Sequence, residues 1–319
     1  MSDDLNTTVN GTEPSSCSRD PTAEKIGQTF AYCLIFVVSL TGNTVIGIIV
    51  YKTKTMRKPI NFFIVNMAMS DLLFPIFLIP LKIQLLYIDS WLIGGPLGQA
   101  LCKLVSSLVD ISLGVSIQSL VLIAVGRFGA VVYPLSSPLI SSKLCPFFIL
   151  ATWIVAMAFH SPYLFVFKLV EYDGRLFCHW LWKEAFRESS SFQSYILSLL
   201  VAFVFVPLVV IAILYIVIFL KLKSQRSPGE HSANAGQQRR QRERNVLKMT
   251  IAIVLGFAVC WLPLAIEWLV FFASDIWSCG LHYFSIVARF VARANSAINP
   301  CICFIFSRNY REGLKTLFS

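Results

Sequence analysis

The amino-acid sequence predicts an all-α membrane protein in which seven transmembrane helices form a bundle and a short amphipathic C-terminal helix follows. Of the 319 residues, 56% are hydrophobic and only 14% are charged, whereas a soluble domain has about 25% charged residues. The apolar residues are gathered into seven runs that reach the roughly 20 residues of helix needed to cross a bilayer core of about 30 Å. The net charge of +10 falls in short clusters between these runs. It therefore indicates membrane topology, and we expect no nucleic-acid partner.

The seven runs, taken along the chain, are of two kinds. Three contain no Asp, Glu, Lys or Arg, namely residues 30–51, 144–167 and 192–220. The other four contain charges, with Asp71 in 59–81, Asp110 in 104–126, Glu267 in 249–272, and Arg289 and Arg293 in 279–306. Because a charge inside the bilayer is costly, these residues indicate functional sites.

The distribution of basic residues predicts the orientation. The segments 52–58, 127–143, 221–248 and 308–315 together hold 17 basic and three acidic residues, and short cytoplasmic loops retain Lys and Arg. We expect a multi-pass plasma-membrane protein with its N-terminus outside and its C-terminus inside. Three regions follow: a disordered extracellular tail at 1–27 with glycosylation at Asn6 and Asn10, a seven-helix domain at 28–306, and the amphipathic helix with the C-terminus at 307–319.

Each run also carries motif residues at a set place. They are Gly42 and Asn43 in the first run, Asn66 and Asp71 in the second, Cys102 and Arg127 at the ends of the third, Trp153 and Pro162 in the fourth, Pro207 and Tyr215 in the fifth, Phe257 and 260–263 in the sixth, and 295–300 in the seventh. In this order they resemble the rhodopsin-like G-protein-coupled receptors. The resemblance implies a receptor and not an enzyme. A seven-helix transporter is the alternative from another class, but the sequence shows no repeat relating two halves.

The resemblance implies roles for several buried residues. Activation, in which the sixth helix swings outward to admit a heterotrimeric G protein, would involve Arg127, Tyr215, Glu243, Phe257, Trp261, Pro263 and Pro300. A sodium ion that favours the resting state, acting as an allosteric modulator, would bind Asp71, Ser116, Asn295 and Asn299, whose oxygens suit a hard cation. A protonated Asp71 in a purely structural network is the alternative reading. No other cofactor is expected.

Four cysteines fall on the outer side, where the oxidising compartment favours pairing. We expect a disulfide between Cys102 and Cys178, which would tie the second outer loop to the third helix. A second pair, Cys17 with Cys279, is left open.

Two departures from the family pattern affect signal transmission. Gly126 stands where an acidic residue normally precedes Arg127, and Cys303 replaces the tyrosine that normally ends the motif of the seventh helix. The hypothesis is raised basal signalling relative to a Gly126→Asp variant, so a constitutively active or decoy receptor is an alternative. An altered inner loop marked by Gly126 is the other reading.

The outer half of the bundle predicts a ligand pocket with both signs of charge. It would be formed by Lys82, Asp110, Glu267, Arg289 and Arg293. Either these residues pair internally, as Glu267 with Arg289, or the arginines hold an anionic group or a peptide terminus. Arg293 at the position of the opsin lysine excludes retinal, because a guanidinium forms no Schiff base. Val109 at the position of the amine-binding carboxylate argues against an amine receptor.

The second outer loop, 168–191, is rich in aromatic and charged residues and is predicted to form a broad lip over this pocket. Together with the sixth-helix motif it most resembles the neuropeptide FF, galanin and neuropeptide Y receptor group. We therefore expect an extracellular peptide ligand, with a small anionic or lipid ligand as the alternative. On the inner side, the basic loop is suited to anionic membrane lipids and a G protein. The C-terminal segment offers only Thr316 and Ser319 for phosphorylation, so arrestin binding would use Ser224, Ser227 or Ser232 or be weak.

Overall fold

The computed structural model describes residues 21–134, 138–186, 190–224, 233–273 and 279–318. Seven long helices run through this part of the chain and are called the first to the seventh span. They are Pro21–Lys52, Pro59–Ile88, Gly95–Val132, Cys145–His160, 190–224, Ala233–Ala273 and Cys279–Phe306. The C-terminal helix, Arg308–Phe318, follows the seventh span at a bend of 96°. The predicted fold class is confirmed.

The fourth span is the shortest, with 16 residues that cover about 24 Å at 1.5 Å per residue. Ser161 and Pro162 interrupt it, because the proline nitrogen cannot donate a helical hydrogen bond. Tyr163–Val166 then adds one further helical turn. This break brings the chain directly into the outer loop.

Several helices extend beyond the apolar runs. The first span begins at Pro21, so residues 21–27, which we assigned to a disordered tail, are helical instead. The sixth begins at Ala233, within the segment predicted as a polar loop. Apolarity marks only the part of a helix inside the bilayer, whereas Ala, Gln, Glu and Arg continue the helix into water.

Two spans contain a π-helical turn beside a proline. Phe74–Leu78 includes Pro75 in the second span, and Val201–Phe205 comes just before Pro207 in the fifth. Since a proline ring clashes with the carbonyl four residues earlier, a wider turn accommodates it. In the second span, this turn sets the rotation of the outer half, which carries Lys82.

The second outer loop forms a β-hairpin, which the sequence reasoning did not anticipate. Strands β1, Phe167–Tyr172, and β2, Arg175–Trp180, pair antiparallel. Asp173 and Gly174 form the turn with φ of 50° and 71°, the left-handed conformation that a two-residue hairpin turn requires. The predicted lip is therefore a defined structure over the bundle.

Buried polar contacts hold the inner half of the bundle together. Asn66 donates to the hydroxyls of Ser119 at 2.9 Å and Thr152 at 3.1 Å, and the Trp153 indole donates to the Asn66 carbonyl oxygen at 2.9 Å. These bonds join the second, third and fourth spans. They provide a rigid base beneath the site.

The first and seventh spans approach closely at a glycine. A Cβ atom on Gly42 would lie 2.6 Å from the Cβ of Pro300, so only a glycine fits there without a shift. One residue further, the Asn43 amide donates to the backbone carbonyl of Ser296 at 2.9 Å. This hydrogen bond engages a backbone carbonyl inside the seventh span and stabilises the packing of the first span against the seventh.

Candidate ligand-binding site

A cavity of about 540 Å³ lies in the outer half of the bundle beneath the hairpin. It extends from His179 in β2 to Asp71 in the middle of the second span. Four of the five predicted pocket residues line it: Lys82, Asp110, Arg289 and Arg293. Glu267, the fifth, is not a lining residue itself but is bonded to Arg289, which is.

The roof of the cavity is fixed to the third span by the predicted disulfide, which the structure confirms. Cys102 and Cys178 are bonded, with a Cα–Cα distance of 5.6 Å. Cys178 lies in β2, so the bond holds the middle of the hairpin. The Trp91 backbone nitrogen also donates to the Leu176 carbonyl at 2.7 Å, which attaches the first outer loop to the same strand.

A second attachment uses the side chain of Gln99, near the start of the third span. Its amide nitrogen donates to the Phe167 carbonyl at 3.2 Å, and its oxygen accepts from the Leu169 backbone nitrogen at 2.9 Å. The Gln99 amide thus pairs with one carbonyl and one N–H group on the edge of β1, as a neighbouring strand would. The hairpin is held on both strands, which places its inner face at a set height over the cavity.

Glu267 and Arg289 form an ion pair between the sixth and seventh spans. The Arg289 Nε and Nη2 donate to one Glu267 oxygen at 3.0 and 2.6 Å, and the Ser285 hydroxyl donates to the same oxygen at 2.6 Å. Glu267 is 7% exposed, whereas the Arg289 side chain is 52% exposed. The internal pairing considered from the sequence is therefore present.

Arg293 is held by an aromatic side chain of the first span. Its Nη1 donates to the Tyr32 hydroxyl, and the guanidinium lies over the Tyr32 ring at 5.6 Å from the centroid. A cation over a ring face is attracted by the ring quadrupole. Arg293 therefore links the seventh span to the first, and this contact already uses part of its binding capacity.

Lys82 is the third cation on this side of the cavity. Its charged neighbours are Arg289 and Arg293, so three positive charges converge from the second and seventh spans. Within the described residues, no ion pair or hydrogen bond engages the Lys82 ammonium. Of the acids that the structure describes, Glu267 is the single one paired with this group of three cations. This wall of the cavity therefore keeps a net positive charge.

Asp110 lies on the other side of the cavity, on the third span. The Tyr163 hydroxyl and the His160 ring are its polar neighbours. His160 is 2% exposed, and its Nδ1 lies 2.8 Å from the Ala156 carbonyl; since a carbonyl only accepts, Nδ1 carries the proton. This wall is therefore acidic and polar.

An aromatic cluster extends from Asp110 to the hairpin and to the fifth and sixth spans. The Tyr163 ring lies 5.1 Å from Trp180, Trp180 lies 5.1 Å from Phe192, and Phe192 lies 6.2 Å from Trp268. Tilted and edge-to-face rings at these separations attract one another. The cluster connects the roof to the sixth span, the helix that carries Trp261.

The floor of the cavity is polar. The Asn299 amide donates to Asp71 at 2.7 Å, and both Asp71 and Asn295 line the cavity. Ser116 lies one helical turn inward from Ser112, whose hydroxyl donates to the Ser70 carbonyl at 2.8 Å, so both serines share the face toward the second span.

These floor residues fit a small hard cation. The Ser116 hydroxyl and the side-chain carbonyl oxygens of Asn295 and Asn299 are buried and have no hydrogen-bond partner in the part of the chain that the structure describes. Hydroxyl, amide carbonyl and carboxylate oxygens of this kind are the donors that sodium prefers. A buried polar atom without a partner is otherwise costly.

The predicted activation residues are distributed along the third, fifth, sixth and seventh spans. Tyr215 lies close to both Arg127 and Thr250, and the rings of Phe257 and Trp261 are 6.1 Å apart. Pro263 and Pro300 lie inside continuous helices. Arg127, Tyr215 and Thr250 therefore lie together, whereas Trp261 lines the cavity. The side chain of Glu243, another predicted activation residue, lies outside the described residues.

The side chain of Tyr310 lies beside Cys303, the residue that ends the motif of the seventh span. It belongs to the C-terminal helix, is 1% exposed, and its ring centroid lies 6.3 Å from that of Phe304. Burial and the neighbouring Cys303 raise the pKa of the Tyr310 phenol well above its ordinary value. An aromatic side chain from the C-terminal helix therefore fills the volume beside the small thiol, which sequence reasoning did not foresee.

Other predictions fall on parts of the chain that are not described. Asn6, Asn10 and Cys17 precede the described residues, and the side chain of Cys279 lies outside them as well. The glycosylation sites and the second disulfide therefore stay predictions.

The residues that sequence reasoning missed are of two kinds. Tyr32, Tyr163 and Ser285 are ordinary members of their runs, and no local pattern marks them as partners of charged residues. The hairpin did have a signal, because Asp173-Gly174 between two short runs is typical of a two-residue turn.

Comparison with known proteins agrees with this architecture. The family described as 7 transmembrane receptor (rhodopsin family) matches residues 42–302. The chain is 31% identical to the QRFP-like peptide receptor of Branchiostoma floridae over 93% of this chain and 78% of that receptor. It is 31% identical to neuropeptide FF receptor 1 of Rattus norvegicus, over 90% and 69%, and 30% identical to the RYamide receptor of Drosophila melanogaster, over 90% and 62%. The chain therefore belongs to the rhodopsin family of seven-transmembrane receptors.

Proposed function

We propose that this receptor binds an extracellular peptide in the cavity beneath the hairpin and in response activates a heterotrimeric G protein. The observation that carries the proposal is the cavity of about 540 Å³ with a cationic wall on which Lys82 has no partner among the described residues. A cavity of this volume accommodates a few residues of a peptide, and a free ammonium suits a terminal carboxylate or carbonyl groups. The names of the matched relatives, receptors for QRFP-like, neuropeptide FF and RYamide ligands, support a peptide.

The orientation that this function requires is part of the proposal. The hairpin and the cavity would face outside, and the basic segments would face the cytoplasm, where they meet anionic lipids and the G protein. The disulfide supports this placement, since such bonds persist in oxidising compartments. Arrestin binding is a further expectation and depends on phosphorylation of the few inner hydroxyls.

Sodium is proposed as an allosteric modulator at the floor. Asp71, Ser116, Asn295 and Asn299 would hold it, and a bound cation would supply the positive charge that a mid-membrane carboxylate needs. The support is the set of buried oxygens without partners described above.

The experiment is a measurement of G-protein dissociation in cells that express the receptor, across a panel of Gα subtypes. The ligands are neuropeptide FF, galanin, neuropeptide Y and RYamide peptides, followed by a tissue extract with and without protease treatment. A response to one of the peptides, or one that protease abolishes, is expected. A response that survives protease would overturn the peptide proposal in favour of a small anionic or lipid ligand.

The same assay tests the cationic wall. We expect Lys82→Ala to lower ligand potency by about tenfold, the loss of one charge-assisted contact, at unchanged surface level. Lys103→Ala is the matched control, because Lys103 lies on the third span outside the cavity lining. Equal potency of wild type and Lys82→Ala would exclude docking on Lys82.

A constitutively active receptor is the second candidate function, and the departures Gly126 and Cys303 are the observation that favours it. Basal dissociation above that of mock-transfected cells, with no response to any peptide or extract, would support it.

A further inference from the structure

We infer that Asp110 is a recognition site for an organic cation, a guanidinium or an amine carried by the ligand. The inference rests on the proposed function and assigns one subsite within the cavity. Asp110 lies on the acidic wall of the cavity. It takes no part in the ion pair of Glu267 or in the cationic wall.

The charges around the cavity divide into engaged and free groups. Glu267 and Arg289 hold each other, and Arg293 is held by Tyr32. Lys82 and Asp110 are left, and neither appears among the charged neighbours of the other. They therefore present opposite charges from separate parts of the wall, which fixes the direction in which a ligand with two charged ends can lie.

The neighbours of Asp110 provide hydrogen bonding without a permanent cation. In the described residues no Lys or Arg pairs with it, and its polar neighbours are Tyr163 and His160. The His160 proton at Nδ1 is directed to the Ala156 carbonyl. A carboxylate that lines a cavity in this setting gains most from a cation that enters the cavity.

The aromatic surroundings favour an organic cation over a metal ion. Tyr163 contacts Trp180 at 5.1 Å and Phe167 at 5.5 Å between centroids, and Phe167, Tyr163 and Trp180 all line the cavity with Asp110. Ring faces attract alkyl-bearing cations and exclude water, whereas a small metal ion requires several oxygen ligands. Among the described residues, no group of three or more His, Cys, Asp or Glu could hold a metal.

The test uses a positional library of hexapeptides, made with free and with amidated C-termini, in which one position at a time is fixed as arginine or as neutral citrulline. G-protein dissociation is measured for wild type and Asp110→Asn. At one position, wild type should prefer arginine by about 30-fold, the effect of a desolvated charge pair, and Asp110→Asn should reduce this ratio to near one. Lysine against acetyl-lysine, and free against acetylated N-termini, identify which cation of the peptide is bound.

Three further variants are compared in the same assay. Asp110→Glu, which keeps the charge, should retain the preference, and so should Glu171→Gln, which removes an exposed hairpin acid outside the cavity lining. His160→Gln should also retain it. An arginine preference equal in wild type and Asp110→Asn would overturn the inference and leave Asp110 as an internal partner of His160.

If no library peptide activates the wild type, that result counts against the proposed function and not against the role of Asp110. A second measurement, which needs no ligand, then tests Asp110. Val109, beside Asp110, also lines the cavity. In Val109→Cys, the rates of reaction with a cationic and an anionic methanethiosulfonate are compared, after subtraction of the reaction of receptor without this substitution. Adding Asp110→Asn should lower the cationic-to-anionic rate ratio by about fivefold or more. An unchanged ratio would overturn the inference.

Discussion

The Arg289 guanidinium donates two hydrogen bonds to a single carboxylate oxygen of Glu267, at 3.0 and 2.6 Å. The two partners are unequally exposed, since the Arg289 side chain is 52% exposed and Glu267 is 7% exposed. The pair therefore stabilises mainly the buried acid, because the arginine can reach water without it.

This inequality predicts an order of stability for three variants. Arg289→Ala should cost about 1–2 kcal/mol, a reduced value because the arginine is half exposed, since it leaves a buried carboxylate with Ser285 alone. Adding Glu267→Gln should recover most of that loss, because the neutral amide needs no cation. The apparent Tm of the purified receptor measures both effects. A double variant less stable than Arg289→Ala would show that the charge of Glu267 is satisfied in another way.

The disulfide between Cys102 and Cys178 predicts a second set of results. It joins residues 76 positions apart, and removing a native disulfide typically costs about 2–5 kcal/mol. Cys102→Ser, Cys178→Ser and the double variant should lower surface expression and peptide response to the same extent, because each removes the same link. A double variant that recovers relative to either single one would indicate that the lone thiol, and not the missing link, causes the loss.

Two glycines of the first span provide a matched test of helix packing. A Cβ on Gly42 would lie 2.6 Å from Pro300, whereas one on Gly47 would meet nothing within 4 Å. Gly42→Ala should therefore destabilise the receptor by about 1–3 kcal/mol through forced separation of the helices. Gly47→Ala should stabilise it by up to about 1 kcal/mol, since alanine favours the helix. Apparent Tm values of the two variants, compared with wild type, check the opposite signs.

Much of the fold could be predicted from the sequence because bilayer thickness imposes a length on every apolar run. The limits of the helices could not, since a helix continues into water wherever residues such as Ala233 and its polar neighbours favour it. Contacts between side chains likewise divide into those that the sequence could predict and those that it could not. The bond from Cys102 to Cys178 could be predicted from the compartment and the family pattern, whereas the contact of Arg293 with Tyr32 depends on how two distant helices are rotated.

The candidate site illustrates why charge patterns alone are incomplete. Among the five predicted charges, pairing of Glu267 with Arg289 was one of two readings, and the structure shows that pair. Which member of a group of charges is free depends on side-chain directions in three dimensions, which periodicity does not determine. The polar character of the floor, by contrast, could be predicted from residue types, because polar side chains such as Asp71 and Asn299 need polar partners at mid-membrane.

Sodium binding at the floor predicts a salt-specific stabilisation. The apparent Tm of the wild type should be higher in sodium chloride than in choline chloride at equal ionic strength, because only sodium is small enough to contact the oxygens around Asp71. Asp71→Asn should abolish the difference. Asp89→Asn is the matched control, since Asp89 is exposed with a φ of 51° that asparagine also tolerates. A sodium response that persists in Asp71→Asn would place the ion elsewhere.

We expect Gly126, the residue before Arg127, to raise basal signalling. A Cβ on Gly126 would lie 3.6 Å from Ile60, an ordinary contact, so both alanine and aspartate fit. Gly126→Asp should lower basal G-protein dissociation several-fold at matched surface expression, because a carboxylate beside Arg127 holds the guanidinium in the resting arrangement. Gly126→Ala separates this charge effect from the gain in helix stability of about 0.5–1 kcal/mol that any Cβ brings. Equal basal activity in all three proteins would refute the role of the missing acid, and an equal reduction in both variants would assign it to helix rigidity.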